Sequence, residues 1–197
     1  MRHIGRKLYH LLGGLGLLSL YYLLGRERAL WTYTLLAGAV LLVDISRLKV
    51  PAFNRFFFDH FGSFLRENER ERLTGTAPYI LGIGLSLLFY RSDIATAAVC
   101  FLAVGDVAAT TVGERYGRTK IIGQKSLEGT LAFVAAASAA GFLLNLAGVH
   151  LMHGLIMAGV ITAAATELLP LPLNDNLTVP LASGGVMELI SRLTGCA

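Results

Sequence analysis

Seven apolar stretches dominate the chain, at about 8–24, 29–45, 77–90, 94–112, 129–148, 151–168 and 176–193. A helix needs about twenty apolar residues to cross roughly 30 Å of hydrocarbon, and most of these stretches approach that length. The third and seventh are short or interrupted. The expected fold is all-α: a polytopic membrane bundle of about seven transmembrane helices plus an interfacial amphipathic helix. Composition agrees, with 54% hydrophobic and 15% charged residues and a mean hydropathy of +0.61. No cleavable leader is evident, because Tyr21-Tyr22 and Arg26-Glu27-Arg28 stand where small residues would be needed. Residues 1–197 read as a single integral-membrane domain without a soluble module.

Charge gives the orientation. Thirteen of the 17 Lys and Arg residues fall in three regions: Arg2, Arg6 and Lys7; the 46–76 connection; and Arg115, Arg118, Lys120 and Lys125. Arg26, Arg28, Arg91 and Arg192 fall on the other side. The positive-inside rule makes the first side cytoplasmic. The net charge of +4 follows from this asymmetry and suits anionic lipid, so no nucleic-acid partner is expected. Cys100 and Cys196 are far apart, which argues against a disulfide or a thiolate metal site.

The 46–76 connection spaces Phe53, Phe56, Phe57, Phe61, Phe64 and Leu65 as one apolar helix face. That pattern predicts a helix lying in the interface, either as an anchor or as a gate for lipid. The alternating charges of Glu67 to Arg72 predict a solvated helical face.

The chemistry concentrates between Gly105 and Thr130. Gly105, Ala109, Gly113 and Gly117 recur every four residues, a stripe that lets helices approach closely. Asp106 lies beside it, about two turns inside the cytoplasmic end. An acid at that depth costs about 2.5–3.5 kcal/mol and commonly lines a functional cavity; a structural ion pair is the alternative. Gly113, Gly117, Gly123 and Gly129 permit backbone amides to approach a phosphate. Lys120 and Lys125 would neutralise its oxygens. Ser126 and Glu128 precede Gly129-Thr130, where a helix N-terminus would also favour an anion. There is no Walker A sequence.

Thr166-Glu167 close the sixth stretch, and Asn174-Asp175-Asn176-Leu177-Thr178 open the seventh. Asp175 and Asn176 suit helix capping or ligand binding. Arg6, Lys7 and His10 suit either anchoring or headgroup binding. No Ser, His and Asp combination recommends a hydrolase. Acids, lysines, glycines and hydroxyls on one face suit phosphoryl or nucleotidyl transfer with a divalent ion.

In this order the motifs resemble the CTP-dependent lipid kinase family, which includes dolichol, phytol and fungal-type diacylglycerol kinases and is distantly related to phosphatidate cytidylyltransferases. The resemblance is carried by Arg6-Lys7-Leu8 with His10, Glu71-Arg72-Leu73-Thr74-Gly75, Gly105-Asp106 and Gly113 to Lys120. It continues through Gly123 to Thr130, Thr166-Glu167, and Asp175-Asn176-Leu177 with Pro180. It covers nearly the whole chain, which looks like a minimal catalytic core. It implies transfer of a terminal phosphate from a nucleoside triphosphate, CTP favoured over ATP, to a membrane lipid alcohol such as a polyprenol, phytol or diacylglycerol.

The roles implied are specific. Asp106, Glu128 and Asp175 would be catalytic and hold Mg²⁺. Arg6, Lys7, Gly113, Gly117, Lys120, Gly123, Lys125, Ser126 and Gly129 would bind nucleotide or phosphate. Asn176, Thr178 and Glu167 would orient substrate. The expected setting is a prokaryotic inner or plasma membrane with the site facing the cytoplasm, and homo-oligomerisation is left open. A cytidylyltransferase-like enzyme is the alternative; a transporter or scaffold would place its polar residues nearer mid-membrane.

Overall fold

Each of the seven apolar stretches forms a helix, and the amphipathic stretch forms a separate helix between the second and third. The structure is a computed structural model that describes residues 4–195, so Arg2 and Cys196 lie outside the described residues. Helices α1 (Ile4–Leu24) and α2 (Arg26–Lys49) are separated by Gly25 alone, at φ 79°. A Cβ is disfavoured there, so glycine permits this reversal. Pro51 opens α3 (Pro51–Phe61) at a position where no backbone donor is lost. Next come α4 (Thr76–Phe89) and α5 (Ser92–Tyr116), then a hairpin of β1 (Lys120–Ile122) and β2 (Lys125–Ser126). Helices α6 (Leu127–Leu146), α7 (His153–Leu168) and α8 (Asp175–Thr194) complete the bundle.

The core is built around α5. Every residue from Ile94 to Ala103 is buried, and the helix packs against α1, α4, α6, α7 and α8. A helix that is apolar on all sides belongs in such a position. Against it, α6 buries only Gly129, Phe133, Ala137 and Gly141, one residue per turn. The ring of Phe133 occupies the space where a Cβ on Gly105 would project, 2.7 Å from its atoms. The small-residue stripe read from the sequence therefore accepts a specific neighbour. Away from this seam, Leu131, Leu143 and Leu146 are exposed, as are Leu12, Leu23, Trp31, Leu35 and Leu42 on α1 and α2. An apolar exterior of this kind matches hydrocarbon rather than water.

The spans are unequal. Helices α2, α5 and α6 are long and apolar enough to cross a membrane. Helices α4 and α7 are apolar but have only 14 and 16 residues, about 21 and 24 Å at the α-helical rise. The seven expected helices are present, but two fall short of full bilayer thickness.

Two local expectations are corrected. The Glu67–Glu71 segment is a 3-10 turn rather than a solvated α-helix. Its Glu69 carboxylate turns inward, accepting from the backbone N–H groups of Arg66 at 2.8 Å and Gly75 at 2.9 Å. This connection is anchored by Arg47, which is fully buried. Arg47 donates to Asp44 at 2.8 Å, Asn54 at 3.2 Å, and the carbonyls of Glu69 at 3.0 Å and Arg72 at 2.6 Å. Asp44 in turn accepts from the backbone and hydroxyl of Thr74. Secondly, residues 120–126 are an antiparallel hairpin whose turn needs Gly123 at φ 57°.

Candidate active site

Six elements end at the same end of the bundle: the start of α1, the end of α5, the hairpin, the start of α6, the end of α7 and the start of α8. Helix capping fixes two of them. Ser126 Oγ accepts from Gly129 N at 3.2 Å at the start of α6. Asn174 accepts from Asn176 N at 3.0 Å at the start of α8. The cap of α8 is thus Asn174, and Asp175 stands in the first turn, where its Oδ1 also accepts from Asn176 N at 3.0 Å.

These ends enclose an open cleft of about 460 Å³. Asp106, Gly113, Gly117, Lys120, Lys125, Ser126, Gly129, Glu167 and Asp175 all line it. Residues separated by up to almost seventy positions therefore share one wall. Asp106 lies at the cleft's inner end and is only 7% exposed. His10 of α1 faces it, with Nδ1 at 4.0 Å from Asp106 Oδ2. That nitrogen is buried and has no hydrogen-bond partner. The imidazole stacks on Tyr79 at 4.3 Å, and the Tyr79 hydroxyl donates to the His10 carbonyl at 2.5 Å, which fixes the ring.

Three ion pairs cross boundaries between elements around the cleft. Lys125 Nζ, on the hairpin, lies 3.1 Å from Glu167 Oε1 at the end of α7. Arg66 Nη2 lies 3.8 Å from Asp175 Oδ2. Lys7 of α1 donates to Glu114 of α5 at 2.8 Å. Lys120 donates to the Gln124 carbonyl at 3.0 Å within the hairpin. Among the charged residues lining the cleft, Arg66, Lys120 and Lys125 are opposed by Asp106, Glu114, Glu167 and Asp175. The lining is not cationic on balance, so it does not by itself offset a polyphosphate.

Several expected site residues lie elsewhere or have their polar groups engaged. Glu128 is not part of the cleft wall. Its carboxylate accepts from Thr119 N at 3.1 and 3.3 Å, bracing the hairpin against α6. Gly123 serves the hairpin turn. Asn176 is buried, and its side-chain amide donates to the Gly75 carbonyl at 3.0 Å. The Thr178 hydroxyl donates to the Asn174 carbonyl at 3.3 Å. Arg6 borders a smaller adjacent hollow with Tyr9, His10 and Phe64, which shares Arg66 with the main cleft. Lys7 reaches the rim only through Glu114. Gly117 and Gly129 also serve packing: a Cβ at Gly117 would meet Ser126 Oγ at 2.6 Å, and one at Gly129 would meet the Ala109 carbonyl at 3.0 Å.

Arg66 and Glu114 are the charged cleft residues that sequence reasoning missed. Arg66 sits in a connection rich in charge, and nothing local distinguishes it from its neighbours. Only the fold over Arg47 brings it to Asp175.

The donor set was tested against a divalent cation. Among the described residues, no three His, Cys, Asp or Glu side chains gather closely enough to hold an ion. The ion set expected from Asp106, Glu128 and Asp175 is therefore not assembled, because Glu128 is held by Thr119. Asp106, Glu167 and Asp175 still present hard oxygen donors to one cleft. Mg²⁺ is commonly bound by one or two carboxylates together with substrate phosphates and water, so these residues fit it.

No family model matches the chain, and no solved structure matches it. Curated relatives do. The chain is 28% identical over 169 residues to CTP-dependent diacylglycerol kinase 1 of Schizosaccharomyces pombe, covering 75% of this chain and 74% of that one. It is 30% identical over 134 residues to CTP-dependent diacylglycerol kinase 1 of Saccharomyces cerevisiae, covering 66% and 46%. It is 35% identical over 133 residues to probable phytol kinase 3, chloroplastic, of Glycine max, covering 58% and 40%. The chain thus spans about three quarters of the fission-yeast relative and less than half of the other two. With its helical membrane bundle and its motifs in this order, the chain is similar to CTP-dependent diacylglycerol kinases and to phytol kinases.

Proposed function

We propose that this protein transfers the terminal phosphate of a nucleoside triphosphate, with CTP favoured, to the hydroxyl of a membrane lipid alcohol. The observation that carries this reading is the convergence of Asp106, Lys125, Glu167 and Asp175, from four separate elements, on one open cleft at a bundle end. Lys120 and Lys125 are the phosphate-binding cations, and Arg66 is a third at the opposite wall. The glycines of α5 and α6 form a low wall that lets a ligand approach the backbone. Asp106 and Asp175 are the carboxylates aimed at the reacting groups. When bound, Mg²⁺ supplies charge neutralisation at the transferred phosphoryl group. The acceptor enters by the hollow beside Phe64 and Leu65, which adjoins Arg66. Residues 1–197 act as one catalytic unit.

The relatives are named for diacylglycerol and phytol, which share a hydroxyl on an apolar body. This chain's acceptor belongs to that class. Its cleft faces the cytosol, in line with the Lys and Arg asymmetry. The relatives are yeast and plant proteins, so they add no support to the prokaryotic membrane expected from the sequence.

Purified protein incubated with CTP or ATP, Mg²⁺ and a panel of polyprenol, phytol, diacylglycerol and phosphatidate tests the proposal. The expected products are a nucleoside diphosphate and a lipid phosphate. Pyrophosphate and a CDP-lipid, formed from phosphatidate, would establish cytidylyl transfer instead.

A further inference from the structure

Two of the cleft's three cations already face carboxylates, yet the proposed ligand is a polyanion. Lys125 is held by Glu167, and Arg66 lies near Asp175. A free nucleoside triphosphate would have to take these cations from their carboxylates and leave the acids bare. A free divalent cation would meet Glu167 and Asp175 already paired. Either ligand alone therefore leaves uncompensated charge in a partly buried site, which is costly. Together they leave less, because the divalent cation cancels two of the nucleotide's negative charges and offers the freed carboxylate a new partner.

Glu167 is where this conflict is sharpest. Its side chain is 10% exposed, against 33% for Lys125. Lys125 can turn toward the open cleft, whereas Glu167 remains with whatever replaces the ammonium. Asp106 lines the same cleft, and beside it the buried His10 Nδ1 lacks a hydrogen-bond partner. His10 borders the adjacent hollow, so its free nitrogen marks an unmet polar contact beside Asp106.

We propose that Glu167 is a metal-binding residue of this site, reached by exchange: Lys125 leaves its carboxylate for a phosphate oxygen as the divalent cation takes Lys125's place. The inference rests on the nucleotide-binding reading above and gives Glu167 a role different from substrate orientation. It also makes nucleotide and metal binding mutually dependent, as linkage requires. No bond is made or broken in this step.

The test is equilibrium binding of a non-hydrolysable CTP analogue to the purified full chain, with Mg²⁺ and with EDTA. The wild type should bind more tightly with Mg²⁺. In Glu167→Gln, Lys125 starts unpaired, so binding in EDTA should tighten by up to about fivefold, the upper end for releasing one partly exposed pair. The gain from Mg²⁺ should shrink. In Lys125→Gln, Glu167 starts unpaired, so Mn²⁺ alone, read by the electron paramagnetic resonance signal of the free ion, should bind more tightly than to the wild type. Metal-free nucleotide affinity that is unchanged or lower in Glu167→Gln would overturn the exchange. So would unaltered Mn²⁺ binding in Lys125→Gln, which decides the matter if the first variant does not fold. A wild type that binds no analogue under either condition would overturn the nucleotide-binding reading itself.

Discussion

Lys125 shows how far one residue's identity reaches. In sequence it is a basic loop residue, as any positive-inside connection would supply. In the fold it stands on β2, one residue before the Ser126 cap, with its ammonium over the cleft. Replacing it with Ala should raise the KM for CTP roughly tenfold, the scale of one charge-assisted hydrogen bond, with a smaller change in kcat. Initial rates across CTP concentrations measure this, and an unchanged KM would remove Lys125 from the nucleotide site. Asp106 stands out in the sequence because a carboxylate two turns inside an apolar helix has few structural explanations, and the fold places it in the cleft. Glu128 is ambiguous for the opposite reason. A Glu at a helix start suits many roles, and only the approach of Thr119 N–H shows that its carboxylate is engaged locally.

At the scale of elements, helical periodicity was the strongest signal. It located all seven apolar helices and α3, because 3.6-residue spacing and length need no tertiary knowledge. The connections were harder. The 120–126 hairpin has too few residues for a periodic pattern, so its glycines read as a phosphate loop. The Asp44–Arg47 pair was missed because a single i,i+3 pair at the end of an apolar helix resembles an ordinary charged flank. Its burial makes a clear prediction. Arg47→Met should destabilise the protein by about 3–5 kcal/mol, since Asp44 would be left buried without its partner. Thermal unfolding in detergent should register the loss, with faster proteolysis within 62–75, which Arg47 ties down through two carbonyls. A melting temperature equal to the wild type would show that the network does not stabilise the connection. Replacing Asp44 as well with an apolar residue should recover part of the loss.

For the whole molecule, the arrangement separates two tasks. Apolar helix faces meet lipid, while loops and helix ends at one pole gather the polar chemistry. The Lys and Arg distribution predicts that this pole is cytoplasmic. Single cysteines placed in 113–128 should resist an impermeant thiol reagent in intact cells and react after permeabilisation. Labelling from outside would invert the orientation and remove access to cytosolic nucleotide. That the distant motifs share one cleft was foreseeable from their common side of the membrane. Which cation meets which carboxylate was not, because Lys125–Glu167 and Arg66–Asp175 depend on how the helices cross.

The central claim is that this cleft moves a phosphoryl group to a lipid with the help of Asp106. The most direct measurement follows γ-labelled CTP with Mg²⁺ and lipid alcohol, comparing the wild type with Asp106→Asn and recording thermal stability on the same preparations. The exchange conserves volume, and removing a buried charge lowers the membrane insertion cost. The label should appear in lipid phosphate with the wild type. In Asp106→Asn, turnover should fall by at least about a hundredfold while stability is retained. Label released as pyrophosphate, or near-wild-type turnover in the variant, would contradict the account.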